Sequence, residues 1–124
     1  MSSGSAAADY PVTLVETSDQ AVVCGLAANF TWCNVVKPTF TTSCYASPTV
    51  QLNPHGAATT GCSAGYFGRP TVLNIGQTVT TEPFYCGGIT DDGGDPAIRC
   101  VTDTSGYGII VGADRIQLIA RHAG

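Results

Sequence analysis

The residue order predicts an all-β fold, a small disulfide-stapled sandwich or partly open barrel, and three observations carry that expectation. Residues 20–36 (QAVVCGLAANFTWCNVV) and 82–111 (EPFYCGGITDDGGDPAIRCVTDTSGYGIIV) follow one plan. In each, an apolar arm reaches a cysteine, a turn-rich loop follows, and a second cysteine leads into another apolar arm. Elsewhere short β-branched and aromatic runs alternate with turn residues. Finally, Gly or Pro interrupts almost every window of helical length, and no stretch sustains a 3.6-residue apolar stripe. The two cysteine-closed hairpins are the expected frame of the fold.

The 124 residues make one domain, and a chain of this size buries only about two thirds of its unfolded surface, so covalent support matters. There are six cysteines, at positions 24, 33, 44, 62, 86 and 100, with no Cys-x-x-Cys pair and only two histidines, His55 and His122. Zinc and iron–sulfur spacings are therefore absent, and disulfides are the expected use. If each hairpin is closed by its own pair, Cys24 joins Cys33 and Cys86 joins Cys100, which leaves Cys44 with Cys62 by elimination. Each such closure constrains the unfolded chain by about 3 kcal/mol in the chain-entropy account.

Taken in order, residues 1–9 read as a flexible N-terminal segment, a linker or leader remnant, before a single β domain over residues 10–122. Residues 10–16 favour a strand, with Pro11 at an edge or a strand start. Residues 21–24 and 31–36 are the arms of the first hairpin, and Trp32 is expected to pack on the Cys24–Cys33 staple. The Thr-rich stretch around Phe40, Cys44 and Tyr45 reads as irregular. Residues 50–52 form a short strand candidate that ends in the turn Asn53, Pro54, His55, Gly56. Glycines and a proline around Cys62 make residues 57–70 a loop with a tethered middle. Residues 71–80 alternate as a strand, with Gly76 at a bulge or bend. After the second hairpin, residues 115–120 alternate as a last strand near an edge.

Charge excludes some partners. The net charge is −4, only 11 % of residues are charged, and the five basic residues are scattered, so no phosphate-binding patch exists and nucleic acid is not an expected partner. No apolar run is long enough to span a bilayer. The opening MSSGSAAADYPV lacks the basic and long apolar regions of a signal peptide. It reads as a cloning linker, as the end of a leader cut near residues 6–8, or as a genuine start. The last of these points to a virion component.

One resemblance adds to this. Val22-Val23-Cys24, Trp32-Cys33-Asn34-Val35, Leu73-Asn74-Ile75-Gly76, Phe84-Tyr85-Cys86, Ile98-Arg99-Cys100 and Gly106-Tyr107-Gly108-Ile109 resemble the six-cysteine secreted or lipid-anchored proteins of mycobacteria and other actinobacteria. The resemblance spans roughly residues 20–119 and rests on cysteine order and a few glycines. It implies an envelope or extracellular setting, a family of unassigned function, and no catalytic residues. The chain departs from that pattern in having no lipid-modification cysteine near its N-terminus.

Candidate chemistry is sparse. Asp91, Asp92 and Asp95 form the only acidic cluster, and a Gly-rich loop of carboxylates suits a calcium ion, but the full calcium-loop pattern and its bidentate Glu are missing. A solvated hairpin tip is the preferred reading. His55 reads as a turn residue, since no nucleophile elbow accompanies it. Glu16 and Glu82 act as glycosidase carboxylates only if the fold brings them together. Tyr66 and Phe67, in the loop AGYFGRP, are the recognition candidates, an aromatic pair between glycines.

The sequence thus points to a non-enzymatic, secreted or cell-envelope binding domain with three disulfides, no cofactor, and a protein or cell-wall glycan as partner. A structural assembly protein, such as a decoration or tail component of an actinobacterial phage, is the alternative. A small secreted hydrolase is the weakest reading, for want of a catalytic constellation.

Overall fold

The structure is a computed structural model, and it describes residues 12–63, 65, 68–103 and 105–120. Tyr10 and Pro11, the segment 1–9, the pair Tyr66 and Phe67, and His122 lie outside the described residues. Eleven strands lie among the described residues: β1 (Thr13–Glu16), β2 (Val22–Leu26), β3 (Thr31–Val35), β4 (Ser47–Leu52), β5 (Thr59–Ser63), β6 (Thr71–Val72), β7 (Thr78–Thr81), β8 (Phe84–Thr90), β9 (Pro96–Thr102), β10 (Gly108–Gly112) and β11 (Arg115–Ile119). No helix occurs among the described residues.

The strands form two sheets, ordered β5-β4-β3-β2-β1-β6 and β11-β10-β9-β8-β7, packed face to face as a sandwich. Among the described residues the strand ladders are antiparallel except β1 with β6, which is parallel, as is the isolated bridge of Ile75 with Gly88. Alternation fixes the inner faces. In β8, Phe84, Cys86 and Gly88 are buried while Tyr85 is exposed and Gly87 and Ile89 are half-buried, and in β9, Ile98, Cys100 and Thr102 are buried while Arg99 is exposed. The core between the sheets is built from Val22, Cys24, Leu26, Cys33, Val35, Val50 and Leu52 on one side. Phe84, Cys86, Ile98, Cys100, Ile109 and Val111 face them.

All three predicted disulfides are present: Cys24–Cys33, Cys44–Cys62 and Cys86–Cys100. Cys24 and Cys33 are direct cross-strand partners with Cα atoms 4.0 Å apart, and Cys86 and Cys100 are the same at 4.1 Å. Opposed residues of an antiparallel pair approach this closely only at non-hydrogen-bonded positions, where side chains of one face touch. Each hairpin is thus pinned in register at its middle.

Several expectations are corrected. Trp32 does not pack on the staple beside it: Cys33 faces the core, so its neighbour must face outward, and the indole lies over Gly25 on the opposite side of the sheet. A Cβ on Gly25 would stand 2.5 Å from two indole carbons, so the glycine is what lets the ring lie flat. The loop expected over residues 57–70 contains β5, an edge strand paired to β4. Its Thr-Thr-Gly-Cys-Ser sequence shows no apolar alternation because both its faces are largely solvated. The strand β4 extends back to Ser47 through Pro48, which is tolerated because the β3 ladder stops at Asn34 opposite Thr49. Residues 71–80 are not one strand, for β6 and β7 belong to different sheets and the chain crosses between them.

That crossing is held at both ends. Leu73 N–H donates to Glu16 O in the first sheet at 2.8 Å. Gly76 N–H donates to Gly88 O in the second sheet, and Gly88 N–H returns to Gln77 O, each at 2.9 Å. A Cβ on Gly88 would collide with the Asn74 carbonyl and stand 2.9 Å from Leu73 O. Gly76 itself has φ 93°, a left-handed conformation suited to glycine. A second tie links the sheets where Thr39 N–H donates to Ala113 O at 2.7 Å.

Gly88→Ala forces the crossing off the second sheet, and it is expected to lower unfolding free energy by about 2 kcal/mol or more in urea titration. Gly56→Ala, where a Cβ meets nothing within 4 Å, should stay within about 0.5 kcal/mol of the parent. Equal losses at both positions contradict the close approach as the reason for Gly88.

Candidate functional site

Because Cys86 and Cys100 point inward, their neighbours form the outer face of the second sheet. The register places Thr80, Tyr85 and Val101 in one row and Thr78, Gly87 and Arg99 in the next. Gly87 has no side chain, so a trough opens between Thr78 and Arg99. The resulting groove holds about 360 Å³ and is walled by Tyr85, Val101, Gln77 and the two threonines. Tyr85 is held in place by its hydroxyl, which donates to Asp103 Oδ2 at 3.1 Å. That bond, together with the Asp103 charge, raises the phenol above its ordinary pKa and keeps it a donor. Arg99 is the only charged residue lining the groove, is exposed, and makes no ion pair among the described residues. An aromatic ring, an exposed guanidinium and several hydroxyl or amide groups therefore share one open trough.

The outer face of the first sheet carries a second groove, of about 470 Å³, lined by Val12, Leu14, Trp32, Asn34, Thr49, Gln51 and Ser63. Its polar groups largely satisfy one another. Asn34 Nδ2 donates to Ser63 Oγ at 3.2 Å, and Thr49 Oγ1 donates to Asn34 Oδ1 at 2.7 Å. Gly65 lines this groove, and Gly68 stands against Leu14, where a Cβ would be 2.7 Å from Cδ1. The recognition candidates Tyr66 and Phe67 fall between these two glycines in sequence, outside the described residues.

The acidic loop of the second hairpin is a turn built on Asp91. Its Oδ1 accepts N–H bonds from Gly93 and Asp95, both at 2.9 Å. Asp92 Oδ2 instead meets Arg115 at 3.4 Å. Asp91 and Asp92 thus point to separate tasks, and among the described residues the three carboxylates do not converge within metal-ligand reach of one another. Asp114, absent from the acidic residues singled out in the sequence, is the partner Asp91 does have. Asp91 Oδ2 and Asp114 Oδ1 are both shielded from solvent and without a hydrogen-bond donor. Both would stand 3.2 Å from a Cβ on Gly112, so that glycine makes room for the pair. Loss of hydration, then the neighbouring Asp91 carboxyl, raises the Asp114 pKa, while the Asp95 and Gly93 N–H bonds help hold Asp91 below its ordinary value.

The remaining candidates are dispersed. His55 is exposed in its turn, Glu16 lies on β1 of the first sheet, and Glu82 is exposed between β7 and β8 of the second. Tyr85 and Arg99 went unmarked in the sequence, although strict alternation about Cys86 and Cys100 identifies them. No family model, no curated protein and no solved structure matches the chain.

The Asp91–Asp114 pair makes a signed prediction. A raised Asp114 pKa means that the folded state binds its proton more tightly than the unfolded chain, so ionisation at neutral pH costs stability that is regained as pH falls into the carboxylate range. Asp91, lowered, contributes the reverse: stability present above the usual Asp range and lost as pH falls through its native value. Asp114→Asn removes the costly ionisation and supplies an N–H for Asp91 Oδ2. Thermal melts should show a higher midpoint than the parent at neutral pH, with the gap narrowing in acid. A lower midpoint at neutral pH contradicts the account.

Proposed function

We propose that this chain is a non-enzymatic binding domain of the extracellular space or cell envelope, and that it holds an acid-bearing glycan on the outer face of its second sheet. One observation carries the ligand reading: Arg99 stands as a lone cation in a trough whose other walls are Tyr85, Val101 and hydroxyl or amide groups. A guanidinium binds a carboxylate with two parallel hydrogen bonds, and a tyrosine ring covers the apolar face of a sugar while threonines meet its hydroxyls. The size of the groove suits one or two sugar units. Three disulfides fit an oxidising compartment, and no helix among the described residues is long and apolar enough to cross a membrane. The six-cysteine resemblance points to the same setting.

A second reading, a self-assembling structural subunit, is favoured by the edge strands β11 and β5, with Leu118 half exposed on β11. A stable ring or filament in native mass spectrometry selects that reading over the first.

The test of the glycan reading is a backbone-resolved NMR titration with a hexuronic acid disaccharide beside its neutral counterpart. The acidic sugar should shift Tyr85, Gly87 and Arg99 and the neutral one should not. Arg99→Gln should weaken binding about tenfold or more. Gly87→Val, whose Cβ meets only ordinary contacts at 3.6 Å, should block the trough while leaving the fold intact. Equal response to both sugars, or shifts scattered away from β8 and β9, overturns the assignment.

A further inference from the structure

The trough on the second sheet differs in character from one end to the other. At one end stands Arg99, and the Gln77 carbonyl oxygen on the same wall is taken by Asn74 N–H at 2.8 Å, which leaves the Gln77 amide N–H groups for a ligand. That end donates. At the other end, past Val101, stands Asp103, which follows β9 directly and continues the outward series of Arg99 and Val101. One of its carboxylate oxygens accepts the Tyr85 hydroxyl, and no cation among the described residues pairs with the group. We propose that Asp103 is a specificity-determining residue of the trough, and that the ligand joins its acid unit to an unacetylated amino sugar, with the carboxylate on Arg99 and the ammonium on Asp103. This rests on the acid-bearing glycan reading and narrows it.

The geometry sets the span. Asp103 is anchored through its backbone as well, since its N–H donates to Pro83 O at 3.1 Å. Tyr85 lies opposite Val101, so a hydroxyl that reaches Asp103, two residues further on, draws the ring along the trough toward the acidic end. Its face is then offered to a sugar lying between the two charges. Four residues of extended chain separate Arg99 from Asp103, about 13 Å. Two linked sugar rings with charged substituents at their far ends bridge that distance. Glu82, exposed before Pro83, adds a second negative charge on the same side, for the Tyr85 phenol is raised first by the bond to Asp103, then by the Asp103 charge, and also by Glu82.

The two ends select different groups. An ammonium is a donor only, and a carboxylate already fixed by Tyr85 receives it without rearrangement. An N-acetyl group in its place removes the charge and leaves a single N–H. A ligand turned end for end sets its carboxylate against Asp103 and its ammonium against Arg99, and both contacts are then repulsive. The opposed charges thus fix the direction of the ligand as well as its composition.

The probes are a hexuronic acid–glucosamine disaccharide with a free amine and its N-acetylated form, each titrated into the full chain in mildly acidic, low-salt buffer and followed by backbone-resolved NMR. Both should shift Gly87 and Arg99, and only the free amine should shift Asp103. The free amine should bind about fivefold tighter, with the ratio falling toward one as salt is added. Asp103→Asn, whose amide oxygen still accepts from Tyr85, should abolish the ratio, while Asp95→Asn, in the loop at the far end of the hairpin, should keep it. Equal affinity for the two sugars, or a ratio that survives Asp103→Asn, overturns the amine assignment and leaves the acid reading standing. Failure of both sugars to shift β8 and β9 overturns the two together.

Discussion

Two cross-strand disulfides meeting between two sheets is the constraint from which most of this structure follows. A cysteine pair at a non-hydrogen-bonded position fixes register to the residue. It also fixes which way every other side chain of both strands points, since alternation admits no exception without a bulge. With Cys24, Cys33, Cys86 and Cys100 inside, Val22, Leu26, Val35, Phe84, Ile98 and Thr102 must be inside as well. By the same rule Trp32, Tyr85, Arg99 and Val101 are directed outward, so the outer faces are as firmly specified as the core.

The frame was legible in the chain because its signals are local. A repeated plan of arm, cysteine, loop and cysteine marks each hairpin, and consecutive pairing then leaves Cys44 only Cys62. Other features were not legible, for physical reasons that differ. The strand β5 carries no apolar alternation, since a solvated edge strand has nothing to bury on either side. The change of sheet between β6 and β7 depends on Glu16, Leu73 and Gly88, which are remote in sequence and meet only in the folded chain. Trp32 is adjacent to Cys33 in sequence, but neighbours in a strand face opposite ways. The Tyr85 and Arg99 trough follows from that same alternation once the register is known. Asp114 escaped notice because its partner Asp91 lies across a hairpin and a further strand.

Glycines do at the interfaces what cysteines do at the centre. Gly88 lets the crossing segment lie on the second sheet, Gly25 receives the indole of Trp32, and Gly112 leaves space for two carboxyl oxygens. Each marks a place where backbone and a second group approach more closely than a side chain permits. The charge distribution follows the same geography. The acidic pair sits at the far end of the second sheet beside Arg115, while Arg99 stands by itself on the outer face, so one sheet offers regions of opposite character.

The order of the disulfides along the chain has a consequence for how the molecule is made. The cysteines are joined in consecutive pairs, first with second, third with fourth, fifth with sixth. A chain delivered from its N-terminus into an oxidising space meets each correct partner before any wrong one further along has arrived. Each bond closes a loop local to one hairpin or one neighbouring pair of segments. Correct pairing is then the outcome of emergence order itself, and nascent oxidation needs no later shuffling of bonds to reach the native set.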